Sequence, residues 1–153
     1  MDPYFLRSHQ SVRSVGPFRM LVEAASSDGR LSVYEGLLPV GGPPLHIHDF
    51  DEVLYVLEGR LLVQLRDEIF EAGPGDCAWM PGGERHAFAN PGPGPIRALG
   101  IGVPSGIEDL FQERGEYVAG LADGDAPSPE RMAEIYARHA SRVVGPPIDL
   151  TNR

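Results

Sequence analysis

The chain has 153 residues, enough for one domain around a single core, and its 19 glycines and 15 prolines fall as punctuation between apolar runs, the mark of a turn-rich fold rather than of disorder. Thirteen basic against 22 acidic residues give a net charge of −9 with no basic block, which excludes a nucleic-acid surface because a phosphate backbone would be repelled. All 13 basic residues are arginine, so Schiff-base chemistry and a phosphate-loop lysine are excluded as well.

The opening stretch MDPYFLRSHQ is acidic at position 2 and has no apolar core of a leader, and no later run of about 18 apolar residues occurs. A cytoplasmic location with no membrane partner is expected, and residues 1–17 read as an N-terminal arm. From residue 18, short β-like runs follow at hairpin spacing. They are FRMLVEAA from Phe18, RLSVYEGLL from Arg30, EVLYVLE from Glu52, RLLVQLR from Arg60, CAWM from Cys77, RHAFAN from Arg85 and IRALGIGV from Ile96. Turn residues bound each run, and seven strands with no helix between them predict an all-β sandwich or barrel over 18–104. The single cysteine, Cys77, allows no intrachain disulfide or thiolate cluster and reads as a small buried hydrophobe. Tyr55 and Trp79 read as packing or interface residues.

After Val103 the period changes to that of helices. GIEDLFQERGEYV carries Ile107, Leu110 and Phe111 at helical spacing, and SPERMAEIYARHASRVV carries Met132, Ile135, Tyr136, His139 and Val143 on one stripe, with Ser128 as cap and Pro129 in the first turn. Residues 105–153 are therefore expected as a tail of short helices packed on the barrel.

The chemistry concentrates in HIHDFDEVLYVLEG, residues 46–59. Side chains alternate along a strand, so His46 and His48 share one face. A sharp turn through Asp49 to Asp51 can aim Glu52 into the same space, and a closing sheet can bring His86 there. Three neutral imidazoles and a carboxylate suit one borderline divalent ion per chain, Fe, Mn, Co, Ni, Cu or Zn, with positions left for water or substrate. Leu54 and Val56 share the parity of Glu52, and Phe88 that of His86, which predicts an apolar, substrate-binding cup for a small, flat, apolar or aromatic molecule. Asp49, Asp51 and Glu58 read as a solvated acidic turn, Glu84 and Arg85 as neighbours of the mouth, and His9 and His139 as surface or helix-face residues.

The order His46, His48, Glu52, Gly59, followed by Gly75, Pro81, Gly83, His86 and Asn90, resembles the two signature motifs of the cupin superfamily. That resemblance implies a single jelly-roll (double-stranded β-helix) barrel, with His46, His48, Glu52 and His86 as metal ligands, Gly59, Gly75, Pro81 and Gly83 serving turns and Asn90 ending the second motif. The family's first motif usually opens with a glycine where Val40 stands here, and Gly41 and Gly42 follow it, a turn shifted by one residue. Small cupins with this ligand set and a helical tail are similar to bacterial flavonol (quercetin) 2,3-dioxygenases, which implies an oxygenase acting on a flavonol-like or other aromatic enol with Glu52 as ligand or general base. The alternatives are a polyketide cyclase or isomerase that uses the metal as a Lewis acid without oxygen, and a non-catalytic ligand-binding barrel. The resemblance also implies a homodimer paired through a hydrophobic outer sheet.

Overall fold

The computed structural model describes residues 2–151. Eleven strands are found among them, β1 (Arg13–Val15), β2 (Phe18–Val22), β3 (Ser32–Leu38), β4 (His46–His48), β5 (Asp51–Glu58), β6 (Leu61–Leu65), β7 (Glu68–Ala72), β8 (Cys77–Met80), β9 (His86–Ala89), β10 (Ile96–Val103) and β11 (Ser141–Val143). Three helices join them, α1 (Ala24–Ser27), α2 (Ile107–Ala119) and α3 (Pro129–Arg138). The strands form two antiparallel sheets, one in the order β1-β2-β3-β10-β5-β8 and the other in the order β11-β4-β9-β6-β7. This strand-rich, two-sheet architecture agrees with the expected jelly roll, and among the described residues each sheet keeps two edges rather than closing into a ring.

Alternation decides which side faces inward. In β3 every second residue from Ser32 to Leu38 is buried, and in β10 every second residue from Ile96 to Gly102. Met20, Tyr34, Leu54, Val56, Leu61, Val63, Met80, Phe88 and Ile96 meet between the sheets in one core. Ile107 and Phe111 from α2 join it, and burying each stabilises the fold by roughly 1.5–3 kcal/mol. The sheets are also tied by Asn90 at the end of β9, whose Nδ2 donates to the carbonyls of Leu38 (2.9 Å) and Gly94 (2.8 Å) while its Oδ1 accepts from the Gly92 N–H (2.7 Å). Gly59, Gly75 and Gly83 all hold positive φ at turns.

Four sequence expectations differ from the fold. The segment read as an N-terminal arm contributes β1, which pairs with β2. EIFEA forms β7, missed because four of its five side chains are exposed and leave no apolar period. The second helix stops at Arg138, where His139 caps it and Ala140 turns to a φ of 49°. Val143 therefore lies not on the helical stripe but in β11, which zips onto the edge of β4 in the register Ser141 to His48 and Val143 to His46. Cys77 is exposed rather than buried, because β8 is an edge strand and Cys77 shares the outward parity of Trp79.

Other features hold the tail in place. The Ser128 hydroxyl accepts the Arg131 N–H at 3.3 Å and caps α3. Glu108 in α2 accepts the Ala24 N–H (2.8 Å), the Gly106 N–H (3.1 Å) and the Ser32 hydroxyl, which fixes the start of α2 against β3. Beyond β11, Ile148 covers Leu62, Ala87 and Ala89 on the outer side of the second sheet, which is why every residue of β9 is buried. Among the described residues no helix is long and apolar enough to cross a membrane.

Candidate metal centre

The second sheet supplies three imidazoles. His46 and His86 are direct partners across β4 and β9, and His48 follows on the same face of β4, as parity requires. One ligand nitrogen from each of His46, His48 and His86 lies within 4.8 Å of the others, and all three residues are buried. The rings face one another, with centroids 4.5 Å apart for His46 and His86, 4.5 Å for His48 and His86, and 5.7 Å for His46 and His48.

Their tautomers follow from the backbone. Nδ1 of His46 lies 2.8 Å from the Pro44 carbonyl, Nδ1 of His48 2.6 Å from the Phe50 carbonyl, and Nδ1 of His86 2.9 Å from the Glu84 carbonyl. A carbonyl can only accept, so each Nδ1 carries the proton and donates it. In a neutral ring Nε2 then offers a lone pair, and the outer hydrogen bond fixes its aim, the arrangement found around metal-binding histidines. Burial, followed by the neighbouring His86, lowers the pKa of His46 to about 3, so its imidazole stays neutral and ready as a ligand.

The first sheet supplies the opposing wall. Glu52 sits at the start of β5, partnered by Met80 and Gly102, and is 2% exposed. Its Oε2 stands 3.1 Å from Nε2 of His48 and 3.5 Å from Nε2 of His86, although Glu52 does not join the mutual set of the three histidines. Its Oε1 accepts a hydrogen bond from the hydroxyl of Tyr34 on β3. Burial by itself would raise the Glu52 carboxyl, but hydrogen bonding from His48 and the longer contact from His86, both of which need a proton on the Nε2 that faces it, hold it well below the usual carboxylate range. Burial, then the Glu52 charge, raises the Tyr34 hydroxyl well above its usual value, so it remains a donor.

These groups fit a divalent cation. Nε2 of His86 is buried with no hydrogen-bond partner, a costly state for a polar atom unless something fills the space it faces. The proton that Nε2 of His48 and Oε2 of Glu52 share across 3.1 Å marks a place that a cation between the two atoms can take. Nitrogen and oxygen donors of this kind favour a borderline transition metal.

Access is from one side. A half-open cavity of about 420 Å³ reaches His86 and is walled by Leu65, Phe70, Trp79, Met80 and Pro81. Its rim carries two paired ion contacts. Arg66 grips both oxygens of Glu84 at 2.7 Å, and Arg85 both oxygens of Asp67 at 2.6 Å. Such exposed pairs contribute little stability.

Leu54, Val56 and Phe88 are placed in the core between the sheets, whereas the cavity is lined by other residues. Trp79, read as packing, is 54% exposed and lines that cavity, as do Glu84 and Arg85. Asp51 accepts the Gly82 N–H at 2.8 Å and Glu58 pairs with Arg97, so the acidic flank serves its turns. His139 pairs with Glu113 at 2.7 Å, and His9 is exposed. Tyr34 is the site residue that sequence reasoning missed; its inward parity within RLSVYEGLL was the available signal.

Residues 33–102 match the family model described as a cupin domain. An uncharacterized protein of Methanocaldococcus jannaschii, MJ1618, is 37% identical over 75 residues, which are 48% of this chain and 60% of that protein, so the match spans less than two thirds of that relative's length. Among solved structures, the polyketide cyclase RemF from Streptomyces resistomycificus is 27% identical with a TM-score of 0.54, covering 69% of this chain and 81% of that one. An RmlC-like cupin from Shewanella frigidimarina, 19% identical with a TM-score of 0.56 over 69% of this chain and 93% of that one, shares the fold.

Proposed function

We propose, from the premise that this chain carries a cupin domain with a three-histidine site, that it is a metal-dependent enzyme for planar, enolisable aromatic substrates of the polyketide type. The carrying observation is the buried cluster of His46, His48 and His86, two of whose Nε2 atoms, those of His48 and His86, face Glu52, with His86 lining a cavity walled by Phe70, Trp79 and Met80. His46, His48 and His86 would hold the ion, with Glu52 Oε2 as the fourth donor. A bound divalent ion supplies Lewis acidity toward a substrate carbonyl or enolate. Phe70 and Trp79 offer flat apolar walls for the rings, and Met80 and Leu65 keep water from the floor. Glu52 is held at Oε1 by Tyr34, and its Oε2, once released from the ion by an incoming substrate oxygen, would be the base that takes a proton from carbon beside the carbonyl, a role worth about 10²- to 10⁴-fold in rate.

The likeness to RemF favours this cyclase-type reading over the flavonol dioxygenase expected from the motifs, which rests on the donor set and the helical tail. Protein loaded in turn with zinc, nickel and ferrous iron, offered an aromatic poly-β-ketone and a flavonol in air and under strict anaerobiosis, separates the readings. Turnover of the polyketide in both atmospheres, lost in Glu52→Gln, supports the proposal. Flavonol turnover in air alone replaces it with the oxygenase, and no turnover by any loaded form leaves a ligand-binding domain.

The same reading includes a homodimer. On the outer face of the first sheet, register aligns Val33, Ile101, Val53 and Trp79 in one row and Leu99, Tyr55 and Cys77 in the next, which ends on β3 at Glu35, paired with Arg19 and Arg97, and Tyr55 and Trp79 are 39% and 54% exposed. A contiguous apolar face of this kind suits a second copy of itself across a twofold axis. Light scattering on eluting protein should give twice the chain mass of 16.6 kDa, and Ile101→Asp with Val53→Asp should return it to one chain. A wild type that elutes as a monomer at micromolar concentration removes this part.

A further inference from the structure

Tyr34 has no place in the motifs, yet its hydroxyl is the closest polar contact of the carboxylate that faces the histidines. The ring is 2% exposed and held on three sides. Phe111 of α2 meets it edge-on with centroids 5.0 Å apart, and Phe18 of β2 does so at 5.6 Å. On the third side it lies flat against β10 at Gly100, where an added Cβ would sit 2.0 Å from Tyr34 Cζ and 2.4 Å from its oxygen. The seat at Gly100 thus exists only because that residue has no side chain. Phe18 and Phe111 in turn stack at 4.0 Å, so the phenol is fixed by packing before any ion arrives.

We propose that Tyr34 is a positioning residue that ties down Glu52 Oε1, so that the carboxylate meets a metal through Oε2 alone. The reasoning is geometric. A free carboxylate can turn to offer both oxygens to a cation, which fills two coordination positions. With Oε1 committed to the Tyr34 hydroxyl, Oε2 is the oxygen left facing His48 at 3.1 Å and His86 at 3.5 Å. One position that a two-oxygen carboxylate would occupy is thereby kept for substrate. A hydrogen-bonded carboxylate ligand also loses less freedom on binding, and removing such an outer partner typically weakens a metal site about 10- to 100-fold.

This inference rests on the metal reading, so the experiment tests the two in order. Zinc is titrated into wild-type protein by calorimetry; absence of binding there overturns both the metal reading and this role for Tyr34. With binding established, Tyr34→Phe keeps the ring and its packing while deleting the hydroxyl. Its zinc affinity should fall about 10- to 100-fold. The visible absorption of its cobalt(II) form should also weaken, as expected when Glu52 adds its second oxygen and the coordination number rises. In a Glu52→Gln background the same Tyr34 substitution should change neither reading, because its effect passes through the carboxylate. A Tyr34→Phe protein with wild-type affinity and spectrum, or one whose loss is undiminished in the Glu52→Gln background, overturns the assignment while leaving the metal site standing. An unchanged circular dichroism spectrum of the variant separates these outcomes from a packing defect.

Discussion

His86→Ala is expected to lose tight metal binding and, with it, the thermal stabilisation that the ion confers. In the absence of an ion, Nε2 of His86 is buried and partnerless, a state that costs on the order of 1–3 kcal/mol. An ion bound at this atom would remove that cost. An ion present at 100 times its dissociation constant stabilises the folded state by about 2.7 kcal/mol, which for a domain of this size is a melting shift of roughly 5–10 °C. Wild-type protein should show such a rise on adding zinc. The His86→Ala protein should show none, and its affinity should drop by more than the ~10- to 100-fold typical of losing an outer hydrogen-bond partner. His139→Ala is the control, because its imidazole pairs with Glu113 and stands outside the cluster of His46, His48 and His86, and its zinc response should match wild type. Melting curves with and without zinc, together with elemental analysis, decide the matter. Full metal occupancy in His86→Ala would show that the ligands have been assigned wrongly.

Much of this candidate centre could be read from the chain because its histidines obey short-range rules. The period of two places His46 and His48 on one face without knowledge of the fold, and the same rule makes Leu54 and Val56 inward. Tyr34 obeys it too, but parity says only that a side chain points inward. That its hydroxyl would meet Glu52 depends on β3 and β5 both flanking β10, with Gly100 opposite Tyr34 on one side and Leu54 on the other. Cys77 failed for a related reason, since alternation ties it to Trp79 without telling which of the two faces of β8 is wet. β11 failed because the sequence of a three-residue strand carries less information than the edge it joins. Val143 falls four residues after His139, a spacing that suits a helix, and only the unpaired side of β4 overrides it. Leu54, Val56 and Phe88 point inward as parity requires and lie in the core, while the cavity that reaches His86 opens between the β6–β7 turn and the loop before β9, a place no period of two could show.

The second large effect is expected at Gly42, in the turn that delivers the chain to β4. A Cβ there would stand 1.9 Å from the Phe88 carbonyl oxygen and 2.9 Å from the Ala89 Cα. Both are backbone atoms of β9, so no side chain can rotate away, and the strand itself has to move. Next to it, Gly41 and Asn90 exchange hydrogen bonds at 2.9 and 2.8 Å and lock the same crossing. Overpacking usually costs about 1–3 kcal/mol, and a clash against backbone on both sides belongs at the upper end. Gly42→Ala should therefore lower the melting temperature by roughly 6–12 °C. It should weaken zinc binding as well, because pushing residue 42 away from β9 separates His46 from its partner His86. Gly115→Ala provides the opposite case, since the site lies inside α2 with nothing within 4 Å of the new Cβ. There the substitution should stabilise by about 0.5–1 kcal/mol through helix propensity. If Gly42→Ala melts with the wild type and binds zinc as tightly, then the close approach of the 41–42 turn to β9 is not what sets the spacing of the histidines.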